Sequence, residues 1–440
     1  MIKYSTKISK SNILKLSIPI FFANFAIPLA GLVDTGLMGH QESEKFLAAT
    51  SISTSFISML LWSFGFLRMG TTSLVAQSFG KRDYREIVSI ISRAIILAFI
   101  IAIVIIIFKN PILYIANHFF EVSQATKFLI NEYISVRIYS APAELMIYVL
   151  VGFFLGIQKT YVSSLIVSFY SLVNIIFSSY LVIVMELGIN GVALGTVLSA
   201  YLTIFIFLLY SYFFIIKNFK VIPKFKNLFI RKKIFQLINI NFDIFIRTIL
   251  ITFSFLWFTY QSSLLGEDYL ATNSILLQFI IFSAFFLDAY ANSTEGLVGF
   301  AVGRKSERSF LKITKLSFEL SFFTSLIISI IFIFFSKSII NGLTNLDFVI
   351  YMSYGYVFWI IIIPPVASFC YQFDGIFLGA SQTSEMRNCM FVSVVLFILS
   401  SLYCTKLLGN HGLWLSLFLF MIFRSFTLNM FFYKIIKKLK

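Results

Sequence analysis

The chain has 440 residues, 59% of them hydrophobic and only 12% charged, with a mean hydropathy of +0.92. Soluble domains carry about 25% charged residues, so a soluble globular fold is excluded and a polytopic integral membrane protein is indicated. The net charge of +16 would suit a nucleic-acid binder, but the basic residues cluster in short loops between apolar runs, so nucleic acid is not an expected partner.

Twelve apolar segments can be marked, near residues 13–38, 46–78, 87–108, 128–156, 160–185, 191–216, 235–265, 270–302, 310–336, 348–380, 384–408 and 411–433. Runs of this length are helices, because barrel strands need only ~10 residues. The first, Ile13–Met38, holds Pro19 and Pro28, each of which removes a helix hydrogen bond and invites a bend. About a turn from its far end it also carries Asp34. A carboxylate on a membrane span costs roughly 2.5–3.5 kcal/mol on insertion scales, so it normally faces a bundle interior or a water-filled cavity. The same run is too long, and too free of a cleavage-type site, to be a removed signal peptide.

The connecting loops alternate in charge. Lys3, Lys7 and Lys10 precede the first segment, Lys81, Arg82 and Arg85 follow the second, and Lys159 follows the fourth. Seven basic residues between Lys217 and Lys233 follow the sixth; Arg304, Lys305 and Arg308 follow the eighth, Arg387 the tenth, and Lys434, Lys437, Lys438 and Lys440 the last. The intervening loops hold Glu42, Glu44, Glu186, Glu267 and Asp268. By the positive-inside rule both termini are expected in the cytoplasm. Cys370, Cys389 and Cys404 lie on or beside apolar stretches without metal-like spacing and read as small core residues.

The chain is also a tandem repeat. Leu47–Arg85 aligns without a gap on Leu270–Arg308, an offset of 270 − 47 = 223, and 11 of the 39 positions are identical. The same offset maps Pro142–Thr160 onto Pro365–Thr383, where the proline, Tyr148, Gly152, Phe154, Leu155, Gly156 and Thr160 all recur. The expected architecture is therefore all-α, with twelve transmembrane helices in two pseudo-two-fold related six-helix lobes. Residues 1–216 form the first lobe, 217–233 a basic cytoplasmic linker and 234–440 the second lobe. Parallel six-helix repeats are a transporter architecture with the site between the halves. The charges do not follow the repeat. VDTGLMG corresponds to YQSSLLG, which sets Asp34 opposite Gln261; Arg68 aligns with Ala291, Asp288 with Gly65, Glu295 with Thr72 and Asp374 with Val151. Duplicated scaffold with unduplicated charge places the specific chemistry on the charges. Asn24, Asn174, Gln261, Gln278 and Asp374 are the polar span residues expected to line a cavity. Arg68 against Asp288 or Glu295 is the expected cytoplasmic gate.

LVDTGLMGH, GFLRMGTTSLVAQSFGKRD, FLDAYANSTEGLVGFAVGR and FDGIFLGASQTSEMRN together resemble the multidrug and toxic compound extrusion (MATE) transporters, in particular their bacterial DinF-like branch. The resemblance runs through both lobes. It implies a multi-pass exporter of the bacterial inner membrane that expels organic, often cationic and lipophilic, compounds in exchange for H⁺ or Na⁺. It also implies that Asp34 is the cation-coupling group and that the first helix bends at Pro28. In one respect the chain departs from related members, which carry Asn and, four residues on, Asp in the fifth span; here Asn174 is followed by Ser178. That argues against a Na⁺ site built from several carboxylates and makes H⁺ the expected coupling ion.

No Walker loop, His–Glu metal spacing or nucleophilic triad is present, so no enzyme, metal or organic cofactor is expected. His40, His118 and His411 sit near outer span ends. Uphill transport must then draw on an ion gradient, and a monomeric secondary antiporter working by alternating access is the expected function. A lipid or lipid-linked precursor flippase is the alternative: it would use Arg68, Arg137 and Arg247, whereas Asp34, Asp288 and Asp374 speak against it. A channel would present symmetric rings of groups, and the charges here break the symmetry.

Overall fold

The computed structural model describes residues 8–41, 44–119, 122–221 and 230–439. Lys3, Lys7, Glu42, Lys224, Lys226 and Lys440 of the charge pattern lie outside them, as do residues 222–229 of the 217–233 linker. The described residues are all-helical, and twelve of the helices are long and apolar enough to cross a membrane. We number these α1 Lys10–Gly39, α2 Lys45–Gly80, α3 Tyr84–Ile107, α4 Gln124–Gly156, α5 Thr160–Val184 and α6 Gly188–Phe219, then α7 Arg231–Leu265, α8 Glu267–Gly303, α9 Glu307–Leu343, α10 Asp347–Gly379, α11 Thr383–Leu408 and α12 Asn410–Leu439. Every expected segment is one of these helices. The largest differences are at ends: α9 runs on to Leu343 and α12 to Leu439. Backbone hydrogen bonding does not stop where side chains turn polar, so a helix outlasts its apolar run.

Helicity follows from the solvent. Hydrocarbon offers no partner to a backbone N–H or C=O, and only a helix pairs them all within one segment. Three spans depart from regularity. A turn at Ser63–Gly65 divides α2, and a 3-10 turn, Ile138–Ser140, interrupts α4 just before Pro142. The last turn of α5, Tyr180–Val184, is π-helical. By contrast α1 is continuous through Pro19 and Pro28, and α10 through Pro364 and Pro365.

The chain forms two compact units. One runs from Phe22 to Asn241; the other comprises α1 up to Phe21 together with everything from Phe242 onward. Each division therefore falls inside a helix, α1 or α7, rather than in the 217–233 linker. Within the second unit the start of α1 is held by a Ser17–Ser293 hydroxyl pair at 2.7 Å, a Lys10–Glu319 bridge at 2.8 Å and the packed rings of Phe21 and Phe286. The core of this unit gathers Phe258, Phe279, Phe332, Phe397, Trp414 and Phe420.

The duplication is visible contact by contact. Gly152 on α4 lies against the Arg68 carbonyl on α2; 223 residues on, Gly375 on α10 lies against the Ala291 carbonyl on α8. Gly156 meets Thr72 and Val75, and its counterpart Gly379 meets Glu295 and Val298. A methyl group at Gly156 would come within 2.8 Å of Val75 Cβ, and one at Gly379 within 3.0 Å of the Gly299 nitrogen. Close approach of backbones at small residues is how helices pack in lipid, where no hydrophobic force drives them together. The turns repeat too. Arg82 and Lys305 both take left-handed φ, as do Gln158 and Ser381. Asp83 caps α3 by accepting from the Glu86 N–H at 3.0 Å, and Ser306 caps α9 by accepting from the Ser309 N–H at 3.3 Å.

Candidate functional site

In the first unit α1, α4, α5 and α6 bring together a buried polar cluster. Helix α1 supplies Asp34, only 6% exposed, whose Oδ1 has no hydrogen-bond partner among the described residues. Helix α5 presents Ser178 toward it, with Asn174 one turn earlier on the same face. Ser178 is fully buried because α6 passes it at Gly195, where a methyl group would meet Ser178 atoms at 2.6–2.8 Å. Asn174 is engaged elsewhere, donating to Thr196 Oγ1 at 2.9 Å. The π-helical turn begins two residues after Ser178, and such turns recur at functional sites.

Helix α4 closes the cluster with an ion pair. Arg137, at the end of the helix before the 3-10 turn, donates from Nη1 to Glu144 Oε1 at 2.5 Å and also to Ser140 Oγ. Tyr170 on α5 donates to the same carboxylate oxygen at 3.1 Å. Tyr133 and Arg137 both lie within electrostatic reach of Asp34. Arg137 and Glu144 cancel each other, which leaves Asp34 as the one unbalanced acid of the cluster among the described residues. Ionised, it gives the buried site a net charge of −1; with one proton or one monovalent cation the site is neutral. A single step of charge is thus built into the unit.

The other expected residues are dispersed. Pro28 is exposed and Asn24 half-buried on α1. Gln261 is buried on α7 and Gln278 exposed on α8. Asp374 on α10 is buried, and its Oδ2 accepts from Arg247 Nη2 and, at 2.7 Å, from Arg424 Nη2. Arg68, half-buried, belongs to the first unit; Asp288, exposed, and Glu295, buried, belong to the second. Glu144, Tyr133 and Tyr170 are not singled out by the sequence pattern. An acid seven residues after an arginine on one apolar span was the available signal for Glu144. Among the described residues no group of three or more His, Cys, Asp or Glu could hold a metal.

A family model described as MatE matches residues 19–180 and 244–403, one match in each half of the chain. The chain is 32% identical over 416 residues to DNA damage-inducible protein F of Escherichia coli (strain K12), covering 94% of this chain and 90% of that protein. It is 24% identical over 432 residues to Protein DETOXIFICATION 44, chloroplastic, of Arabidopsis thaliana, covering 94% and 80%. Among solved structures, MATE in the straight conformation superposes with a TM-score of 0.87 at 16% identity over 99% of both chains. The Vibrio cholerae MATE transporter VcmN in the bent form does so with 0.87 at 16%, over 98% of this chain and 97% of the other.

Proposed function

From the premise that the chain belongs to the MatE family, and is therefore a multi-pass membrane transporter, we propose that it is a secondary active exporter of small organic compounds driven by H⁺ antiport, with Asp34 as the coupling group. The observation that carries this reading is the unbalanced carboxylate. Asp34 is buried on a membrane helix, Arg137 beside it is already committed to Glu144, and one Asp34 oxygen has no partner among the described residues. Such a group is neutralised by the smallest available cation, and with Glu144 paired to Arg137 and a serine at position 178 there is no second unpaired carboxylate among the described residues of the cluster to coordinate a larger one.

Protonation of Asp34 from the outer face discharges the site and favours the arrangement in which its carboxyl packs in a dry environment. Release of the proton inward restores the charge and favours the arrangement that admits water or a cationic substrate. Each ligand acts only through its differential affinity for the two arrangements. A proton entering down ~100 mV supplies ~2.3 kcal/mol, enough to move such an equilibrium about 40-fold. The bend of α1 at Pro28, six residues before Asp34, is the element through which the charge step acts. Substrates are lipophilic or cationic compounds, the termini face the cytoplasm, and the membrane is the bacterial inner membrane.

Asp34→Asn tests the assignment, because the amide mimics a permanently protonated acid. In everted vesicles with an acidified lumen the wild type should accumulate a cationic dye, and the variant should not, although it reaches the membrane folded. Wild-type rates in the variant would remove Asp34 from the coupling role.

A further inference from the structure

A second charged cluster lies in the other unit, and proton coupling at Asp34 leaves it without a task. Arg247 on α7 and Arg424 on α12 sit near the middle of membrane-length helices, and both are more than nine-tenths buried. Their guanidiniums converge on one atom, Asp374 Oδ2. Two positive charges thus share one negative charge. Their donors are far from spent. A guanidinium carries five N–H groups. Yet among the described residues Nε of Arg247 and Nε of Arg424 are buried without hydrogen-bond partners, and Asp374 Oδ1 accepts nothing. Arg424 Nη1 has the Met421 sulfur at 3.7 Å, and the guanidinium lies over the Phe420 and Tyr371 rings at 5.5 and 5.9 Å from their centroids. Asp288, which is exposed where the triad is buried, lies within electrostatic reach of Tyr371 and Cys370 beside it.

The duplicated scaffold does not require this triad. At the offset of 223 the first half holds Tyr201 and Val151 where the second holds Arg424 and Asp374, and the register that sets Asp34 opposite Gln261 puts Ile20 opposite Arg247. Nor does a structural ion pair require two arginines. One guanidinium would balance Asp374, and a second only adds a buried charge that must be compensated.

We propose that the Arg247–Arg424 pair is a binding site for a single anionic group, a carboxylate, sulfonate or phosphate, carried by an amphiphile. A bound monoanion brings the triad to neutrality, and its oxygens accept from the guanidinium edges that now have no acceptor. The planar, forked geometry of arginine suits oxyanions with two or more oxygens. The ligand is an amphiphile because the site lies at mid-span, where a small hydrated anion does not go and an anion attached to an apolar body does. The inference deepens the transport reading by naming substrate chemistry, and it rests on that reading only for the direction in which the ligand moves.

Equilibrium binding to the purified full chain in a neutral detergent tests it, with a fluorescent arylsulfonate and a cationic dye as probes. Arg247→Gln and Arg424→Gln should each weaken arylsulfonate binding by about tenfold or more and leave the cationic dye unaffected. Asp374→Asn should tighten arylsulfonate binding, because it removes the resident competitor, an outcome a merely structural triad would not give. Where Asp374→Asn does not fold, Arg424→Lys, which keeps the charge and loses the fork, should still weaken binding several-fold. Competition by phosphatidylglycerol nanodiscs, but not by phosphatidylcholine ones, would identify a lipid headgroup as the occupant; absence of competition would identify a free amphiphile. Arylsulfonate binding that is equal in wild type and in folded Arg424→Gln overturns the proposal. So does a folded Asp374→Asn that binds no tighter. Dye exchange for protons, measured on the same variants, reports on Asp34 separately, so the loss of one reading leaves the other standing.

Discussion

Position 178 shows how much a single side chain decides. A serine there, four residues after Asn174 and fully buried beneath Gly195, leaves Asp34 as the sole unbalanced acid of its cluster among the described residues. Arg137 and Glu144 make that isolation possible by neutralising each other. Their pair is itself a vulnerable element, since breaking a buried ion pair from one side costs about 3–5 kcal/mol. Glu144→Gln should therefore lower the thermal unfolding midpoint strongly, whereas replacing both partners with Met should recover most of the loss. Equal midpoints for wild type and Glu144→Gln would mean that the pair is not formed in the membrane. Asp34 was legible in the sequence because one charge in an apolar run stands out in any window. Its surroundings were not, and the same holds for the second cluster: the partners of Asp374 lie 127 and 50 residues away, and nothing in local spacing announces them.

At the level of helices, the glycines that recur at the 223-residue offset do specific packing work. Gly375→Val would drive a methyl group toward the Ala291 carbonyl, with its carbon 3.0 Å away. Overpacking of this kind costs about 1–3 kcal/mol, and because the obstacle is backbone the upper end is expected. Gly355 lies on the same helix, and a methyl group added there would meet nothing within 4 Å. At that position Gly355→Ala should leave stability unchanged or raise it by up to ~1 kcal/mol. Differential scanning fluorimetry of the two variants compares packing against propensity within one element. Pro28→Ala addresses α1, which is continuous in this structure. If the proline serves bending, the variant should slow turnover while binding dye normally; an equal loss of both would point to misfolding. The helices themselves were legible because hydropathy is local. The interruptions in α2 and α4 and the π-helical turn of α5 were not, since they depend on what each helix packs against.

The whole molecule follows from one duplication, and its chemistry from what the duplication did not copy. The repeat could be read because glycine, proline and arginine matched at a constant offset, and glycine and proline hold backbone positions that few other residues can. That the division between units falls inside α1 and α7 could not be read, because hydropathy identifies a helix without identifying its neighbours. Each unit ends with a charged centre of its own, an uncancelled carboxylate in the first and a doubled arginine in the second. If substrate and proton compete through Asp34, proton release on binding measures the competition directly. Adding a cationic dye to lightly buffered, purified protein with a pH indicator should release protons from the wild type, approaching one per bound dye at saturation. Asp34→Asn should bind dye and release none. Dye binding by the wild type with no proton release at any pH where it stays folded, or equal release from Asp34→Asn, would contradict the coupling role of Asp34.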